Sequence, residues 1–485
     1  MPATADAPDT YDLVILGGGS GGYACALRAA QLGLSVALVE RDKLGGTCLH
    51  RGCIPTKALL HAAEVADETR HAASIGVNAV LEGIDLDKVL SYQQGVVGRL
   101  HKGLQGLVAS AAITYVEGDG RLVDAQTVAV GDRILTGRYL VLATGSQPRS
   151  LPGLEISGRI MTSDQALGLT ELPERVVVLG GGVIGVEFAS VFASFGAQVT
   201  VVEALDRLVP AEEPSISAQL TRAFRKRKIT VRTGARFSGA TQGEDGVSVT
   251  LEDGTTIEAD LLLVAVGRGP VSEGLGYEEA GIVVDRGFVP TDERLRTNVE
   301  NVYAVGDLVP GLQLAHRGFA PGIFVAEEIA GLSPTPVDDT LIPKVTYCDP
   351  EIASVGLTEE RARAAYGDEV QTYDYNLGGN GKSQILGTQG FVRLVRRTDG
   401  PLVGIHMIGA RVGEQIGEAQ LIVSWEAHPE DVASLIHAHT AADLAGARAL
   451  AGVNHAMDRD GGKPGMATVR IASFGELPFG SQSLD

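Results

Sequence analysis

An α/β architecture is what the sequence predicts, and three observations predict it. Short apolar runs such as Leu13-Val14-Ile15-Leu16 and Val176-Val177-Val178-Leu179 end directly in glycine clusters, as buried parallel strands do before a tight turn. Each cluster opens an apolar stretch of helical length, so strand and helix alternate as a parallel sheet requires. The 63 glycines fit a chain with many strand-to-helix turns. At 485 residues the chain is also too long for one core and fits roughly three or four domains.

The first unit runs from Tyr11 to Leu16 into Gly17-Gly18-Gly19-Ser20-Gly21-Gly22, then a helix from Tyr23 to Leu32, then a strand from Ser35 to Val39 ending in Glu40. G-x-G-x-x-G between strand and helix binds dinucleotides. Gly17 makes the turn, Gly19 lets a pyrophosphate approach, Gly22 lets helix pack on strand, and Glu40 accepts hydrogen bonds from a ribose. Ser20 between glycines also fits the turn that carries a hydrolase nucleophile, but the overlapping glycines and Glu40 account for these residues more completely. The second unit repeats the order: Gly180-Gly181-Gly182-Val183-Ile184-Gly185, a helix, then Val199 to Val202 and Glu203. Glu203 follows Gly180 at the offset of 23 positions that separates Glu40 from Gly17. These read as two Rossmann-like dinucleotide-binding domains. A carboxylate at Glu203 pairs with a free 2′-hydroxyl and repels a 2′-phosphate, which favours NAD(H) over NADP(H); Arg207 nearby weakens that preference.

After the first unit comes Gly45-Gly46-Thr47-Cys48-Leu49-His50-Arg51-Gly52-Cys53-Ile54-Pro55-Thr56-Lys57. A bridge between Cys48 and Cys53 would close too small a loop to add much stability, so the pair reads as a redox element. Pro55 marks a first helical turn just after Cys53, and a helix N-terminus lowers a thiol pKa. The alternative is two small packed thiols. Two dinucleotide sites beside a cysteine pair imply an electron path from nicotinamide through a flavin to a disulfide.

Composition narrows the class. A net charge of −20 argues against a grip on nucleic acid and reads as a solvated acidic surface. No apolar run approaches the roughly 20 residues of a membrane helix. Met1 to Thr10 is acidic and polar, unlike a secretory signal. The cysteines Cys25, Cys48, Cys53 and Cys348 are too few for a secreted disulfide scaffold and lack zinc spacing. The expectation is a cytoplasmic protein with no metal, membrane or nucleic-acid partner.

The redox loop and both glycine motifs occur with Ala143-Thr144-Gly145, Val266-Gly267-Arg268-Gly269-Pro270, Ala304-Val305-Gly306-Asp307, Leu314-Ala315-His316, Gly404-Ile405-His406-Met407-Ile408-Gly409 and His437-Ala438-His439. With them the chain resembles the pyridine nucleotide-disulfide oxidoreductases, and within these the dihydrolipoamide dehydrogenases, over about residues 10–439. The resemblance implies an FAD-binding domain over 1–150, an NAD-binding domain over 151–277, a second part of the FAD-binding and central region over 278–345, and an α+β dimerisation domain over 346–440, leaving 441–485 as an atypical tail. Turn-rich Ser150-Leu151-Pro152-Gly153 and Val309-Pro310-Gly311 agree with breaks in the chain.

The resemblance also implies site residues. Cofactor contacts fall on Gly17, Gly19, Gly22, Glu40, Gly46, Thr47, Lys57, Thr144, Gly145, Gly180, Gly182, Gly185, Glu203, Gly267, Gly306, Asp307 and Ala315. Asp307 would hold the flavin ribityl chain, and Lys57 and Glu187 an ion pair beside the flavin ring. The implied reaction oxidises dihydrolipoamide to lipoamide with NAD+, as the E3 component of 2-oxoacid dehydrogenase complexes. His439 of the partner subunit takes a proton from the substrate, the resulting thiolate opens the bridge at Cys48, and electrons pass from Cys53 through FAD to NAD+. Implied partners are dihydrolipoamide or a lipoylated carrier domain, the acyltransferase (E2) core, and a second copy of the chain as a homodimer.

Two places depart from the pattern. His50 and Arg51 stand where the family more often has Asn-Val. After its catalytic histidine the family has proline, and a glutamate five positions on; here Thr440 and Leu444 occupy those positions. Asp443 is one residue short, about 100° around a helix, and Thr440-x-x-Asp443 resembles a capping box. The alternative reading is therefore an NADH-dependent diaphorase or quinone reductase with impaired lipoamide turnover.

Overall fold

Alternation along single strands shows how the core is layered. In the computed structural model, which describes residues 9–437, Leu13 and Ile15 pack with Cys25, Ala26 and Phe324 on one face of the first sheet. Val14 and Leu16 pack with Leu122, Leu135 and Tyr277 on the other. A period of two with apolar residues at every position is a strand covered on both sides. The second unit repeats this: Val176 and Val178 meet Phe188, Phe192 and Leu220, while Val177 and Leu179 meet Val247 and Val249.

The first sheet has seven strands, in the order Thr114–Glu117, Val36–Glu40, Asp9–Leu16, Arg133–Leu142, Thr127–Val130 and Gly120–Leu122, with Val302–Ala304 added beside Arg133–Leu142. The central pairs are parallel and the last two antiparallel. The second sheet is parallel throughout, ordered Thr230–Arg232, Gln198–Val202, Arg175–Leu179, Leu261–Val264 and Ile160–Thr162. A short antiparallel pair, Ser146–Pro148 with Arg268–Pro270, joins the strands on which the chain leaves one unit and returns from the other.

The C-terminal region is an antiparallel sheet ordered Lys344–Thr346, Glu351–Gly356, Leu402–Gly409, Phe391–Arg397 and Val370–Asn376. The helix Val412–Ser424 packs on its apolar face through Val412, Ile416 and Ala419. A cross-strand row on the sheet, Lys344, Ser354, His406 and Arg393, faces the second unit. Lys344 Nζ lies 2.9 Å from Glu212 Oε1 and Arg393 3.4 Å from Glu213 Oε2, both just before the helix Pro214–Lys226. These contacts fasten the C-terminal sheet to the second unit. Among the described residues no helix is long and apolar enough to cross a membrane.

Candidate active site

Both glycine turns have the built-in features of an anion site. Gly17 and Gly180 sit at φ of +109° and +111°, and a Cβ on either would strike the backbone carbonyl of Ala143 or Ala265. A side chain at Gly22 or Gly185 would strike the Gly17 or Gly180 carbonyl, so only glycine lets helix and strand approach. The helices that follow, Ser20–Gln31 and Val183–Phe195, begin at Gly19 and Gly182 with no side-chain cap. Their first N–H groups are therefore left for a ligand, and the helix dipole favours a negative one.

The two acids close the turns in the same way. Glu40 Oε2 accepts from the Gly18 amide at 2.7 Å and Oε1 from the Asp42 amide at 2.9 Å. Glu203 accepts from Gly181 at 2.6 Å and Leu205 at 2.8 Å. Burial raises the Glu40 pKa, against the Gly18 N–H and the charges of Arg41 and Arg51. Arg207 is turned onto the Pro210 carbonyl at 3.1 Å.

A cavity of about 650 Å³ runs from the first turn and Glu40 past Asp119 and Asp307 to Cys48, Cys53 and Lys57. An extended dinucleotide fits this shape: uncapped helix start at the phosphates, carboxylate at one end, sulfurs at the other. Cys48 lies in the short helix Gly46–His50, and Cys53 is the first residue of the helix Cys53–His71, which has Pro55 in its first turn. Neither is bridged to another cysteine in the structure. Their environments differ. The hydrogen bond from the Cys48 thiol and the nearby Lys57 ammonium bring Cys53 down to about 7, against the effect of burial. The same hydrogen bond and burial hold Cys48 protonated far above the ordinary thiol range. The downward shift thus falls on Cys53, beside the Lys57 ammonium, and the upward shift on Cys48.

Lys57, one turn along from Cys53, makes a bidentate pair with Glu187 of the second turn helix, Nζ lying 2.9 Å from each carboxylate oxygen. Burial alone would lower the Lys57 pKa, but Glu187 raises it above its ordinary value. Glu187 is 3% exposed and also accepts the Tyr347 amide at 2.9 Å. Asp307 Oδ2 accepts from Ser146 Oγ at 2.6 Å. Ser146 is held in turn by Arg268, whose Nε donates to its Oγ at 2.8 Å, while another Arg268 nitrogen reaches Thr47 Oγ1 at 3.3 Å.

Gly46, Thr47, Thr144, Gly145, Gly306, Asp307 and Ala315 all line the cavity. Thr144 reaches it with its hydroxyl already engaged, donating to the Val271 carbonyl at 2.6 Å and paired with Tyr277 Oη at 3.0 Å. Gly267, at φ +105°, supplies its carbonyl to the Arg149 amide at 3.0 Å. Of the second glycine motif only Val183 and Ile184 touch the cavity; Gly180, Gly182, Gly185 and Glu203 form their own turn beside it. His50 hydrogen-bonds the Leu44 carbonyl at 3.0 Å and meets the His101 ring edge-on, and Arg51 pairs with Asp42. Arg268 stood in a quoted motif without a role, and Ser146 and Tyr347 carried no local signal at all. Among the described residues no cluster of three His, Cys, Asp or Glu could hold a metal ion. His439 lies outside the described residues.

Comparison with known proteins follows the same division. The family described as pyridine nucleotide-disulphide oxidoreductase matches residues 11–322, and its dimerisation domain matches 342–446. The chain is 42% identical to a dihydrolipoyl dehydrogenase of Bacillus subtilis, over 91% of this chain and 98% of that one. It is 40% identical to a dihydrolipoyl dehydrogenase of Geobacillus stearothermophilus, over 88% and 93%. The crystal structure of LpdA from Mycobacterium tuberculosis is similar with a TM-score of 0.86 at 26% identity, over 92% of this chain and 99% of that one.

Proposed function

The chain belongs to the pyridine nucleotide-disulphide oxidoreductase family, and from that premise we propose that it oxidises dihydrolipoamide, free or on a lipoylated carrier domain, with NAD+. It is an NAD-dependent oxidoreductase acting on a sulfur group and uses FAD and NAD(H). The observation that carries the substrate reading is the pair Cys48 and Cys53 at the end of the cavity, beside the Lys57–Glu187 pair, in a chain 42% identical to a dihydrolipoyl dehydrogenase over 91% of its length.

The residues divide the work. The uncapped start of helix Ser20–Gln31 would hold the FAD pyrophosphate, Glu40 its ribose, and Asp307, steadied by Ser146 and Arg268, its ribityl chain. The second turn and Glu203 would hold NAD(H). FAD, when bound, supplies the two-electron relay between nicotinamide and disulfide. In the oxidised enzyme a substrate thiolate attacks Cys48, the Cys48–Cys53 bond breaks, and Cys53 leaves as a thiolate. The second substrate sulfur then attacks the mixed disulfide, lipoamide departs as its own disulfide, and Cys48 takes up a proton. Lys57, fixed by Glu187, keeps a positive charge beside Cys53. His439 of the partner subunit takes the proton from the substrate thiol.

The matched dimerisation domain supports a homodimer. As an E3 component the dimer would work on an acyltransferase (E2) core in the cytoplasm. Mixing the pure protein with dihydrolipoamide and NAD+ and following NADH absorbance tests the reading, with an NADH–quinone assay alongside. NADH formation is expected. Quinone reduction without lipoamide turnover would sink the substrate assignment.

A further inference from the structure

The Lys57–Glu187 pair is gripped from a third direction that neither glycine unit supplies. Tyr347 follows the strand Lys344–Thr346 of the C-terminal sheet and lines the cavity with the two cysteines. Its amide donates to Glu187 Oε1 at 2.9 Å, and its ring centroid lies 4.8 Å from Lys57 Nζ. The start of helix Val412–Ser424 lies beside the ring. A Cβ on Gly413 would lie 3.5 Å from Tyr347 Cε1, 3.2 Å from Glu351 Oε2 and 3.0 Å from Val345 Cγ1. Glu351 accepts the Gly413 amide at 2.9 Å, fixing that helix start in place. The ring thus lies near both that helix start and the Lys57 ammonium.

We propose that Tyr347 is a positioning residue of the redox centre, holding the Lys57 ammonium with its ring and Glu187 with its amide. The C-terminal domain thereby sets the charge beside Cys53. An aromatic face attracts an ammonium electrostatically, and more strongly where water is excluded. The charged and titratable groups facing the ring are Lys57 from helix Cys53–His71, Glu187 from helix Val183–Phe195, Glu351 from the next strand and Glu414 from helix Val412–Ser424. Burial raises the phenol pKa, against Lys57, so the ring stays neutral and meets the ammonium through its face. Removing the ring frees the ammonium to swing from Cys53, and the thiolate loses part of its counter-charge.

This inference rests on the assignment of Lys57 and Cys53 to the redox centre, and its test needs no lipoamide turnover. Full-length flavoprotein is reduced with a phosphine, alkylated with iodoacetamide across a pH series, and the label at Cys53 is separated from that at Cys48 by fragment mass. Tyr347→Leu is expected to raise the pH midpoint of Cys53 alkylation by about half a unit, roughly twofold less thiolate at about pH 7. Tyr347→Phe, which keeps the ring, is expected to retain the wild-type midpoint. Tyr347→Met provides the same comparison if the leucine variant does not fold. An unshifted midpoint in the folded leucine or methionine variant overturns the proposal, as does a phenylalanine variant that shifts as far as leucine. A shift in a protein that fails the lipoamide assay would leave this role standing and remove only the substrate assignment.

Discussion

In the first glycine turn a carboxylate accepts from the amides of Gly18 and Asp42, and in the second from Gly181 and Leu205. Local chemistry is duplicated, but the surroundings are not. Around the first turn, helix Ala315–Ile329 presses so closely on Ser20–Gln31 that a Cβ at Gly322 would strike the Gly21 carbonyl, and the redox loop folds over Gly19 at Gly46. The cavity takes in Gly17, Gly19, Gly21 and Glu40. At the second turn it touches only Val183 and Ile184, and Val183 is 43% exposed. An enclosed turn suits a cofactor that stays, and an open one suits a cofactor that exchanges at each cycle. The same motif thus serves two tenancies, decided by what packs over it.

The hardest break in that comparison is to cut the link and leave both turns whole. Cys53→Ser removes the thiolate and touches neither glycine motif. Lipoamide turnover is expected to fall by at least about 10³-fold, with flavin absorbance and NADH binding retained. Loss of flavin instead would mean that the redox loop is a wall of the first site before it is a catalyst.

Matched substitutions at the two close approaches come next. Gly22→Ala and Gly185→Ala each drive a methyl into a carbonyl oxygen of the preceding turn, a strain of more than about 1–3 kcal/mol. Gly22→Ala is expected to yield flavin-free or unfolded protein. Gly185→Ala is expected to purify yellow and to raise the KM for NAD+ by about tenfold or more, because its damage stays in an open turn. Equal flavin loss in both variants, by absorbance and thermal melting, would break the distinction between enclosed and open sites.

How far sequence reached follows from this local duplication. Each turn, its acid and the cysteine pair are written within a few dozen residues, so spacing alone exposes them. Lys57 and Glu187 meet across 130 positions and Tyr347 meets Glu187 across 160. No period or spacing reports a contact of that kind, and the Lys57–Glu187 pair was reachable only through resemblance. Ser146 and Arg268 are hidden for the same reason: they meet only where the chain leaves one unit and returns from the other. Thr144 shows the opposite limit. The motif marks it as a cofactor contact, but its hydroxyl is spent on Val271 and Tyr277, leaving the backbone as what it offers the cavity.

Cofactor choice at the open turn is a finer probe. Glu203→Ala removes the carboxylate that a 2′-phosphate would meet and leaves the Gly181 and Leu205 amides without their acceptor. A charged hydrogen bond from a ribose 2′-hydroxyl to Glu203 would contribute about 1.5–3 kcal/mol, so the preference for NAD+ over NADP+ is expected to fall by roughly tenfold or more in kcat/KM. Flavin content should not change. An unaltered preference would mean that Arg207 or another group selects the nucleotide.

The smallest effect lies on the link between the turns and appears as a pH dependence of stability in the reduced protein. Cys53 sits at about 7 when folded and near 9 when unfolded. Its thiolate therefore contributes stability that is fully present above about pH 9 and lost as pH falls through about 7. Cys48 has the opposite sign: held as a thiol when folded, it ionises first in the unfolded chain and withdraws stability above about pH 9. The reduced enzyme should gain stability between about pH 7 and 9 and level off or decline beyond. Cys53→Ser should flatten the rise, and Cys48→Ala should diminish it by removing the hydrogen bond that lowers Cys53. Thermal melts of the three proteins under reducing conditions measure the difference, and a wild-type slope that Cys53→Ser leaves unchanged would refute the unequal pair.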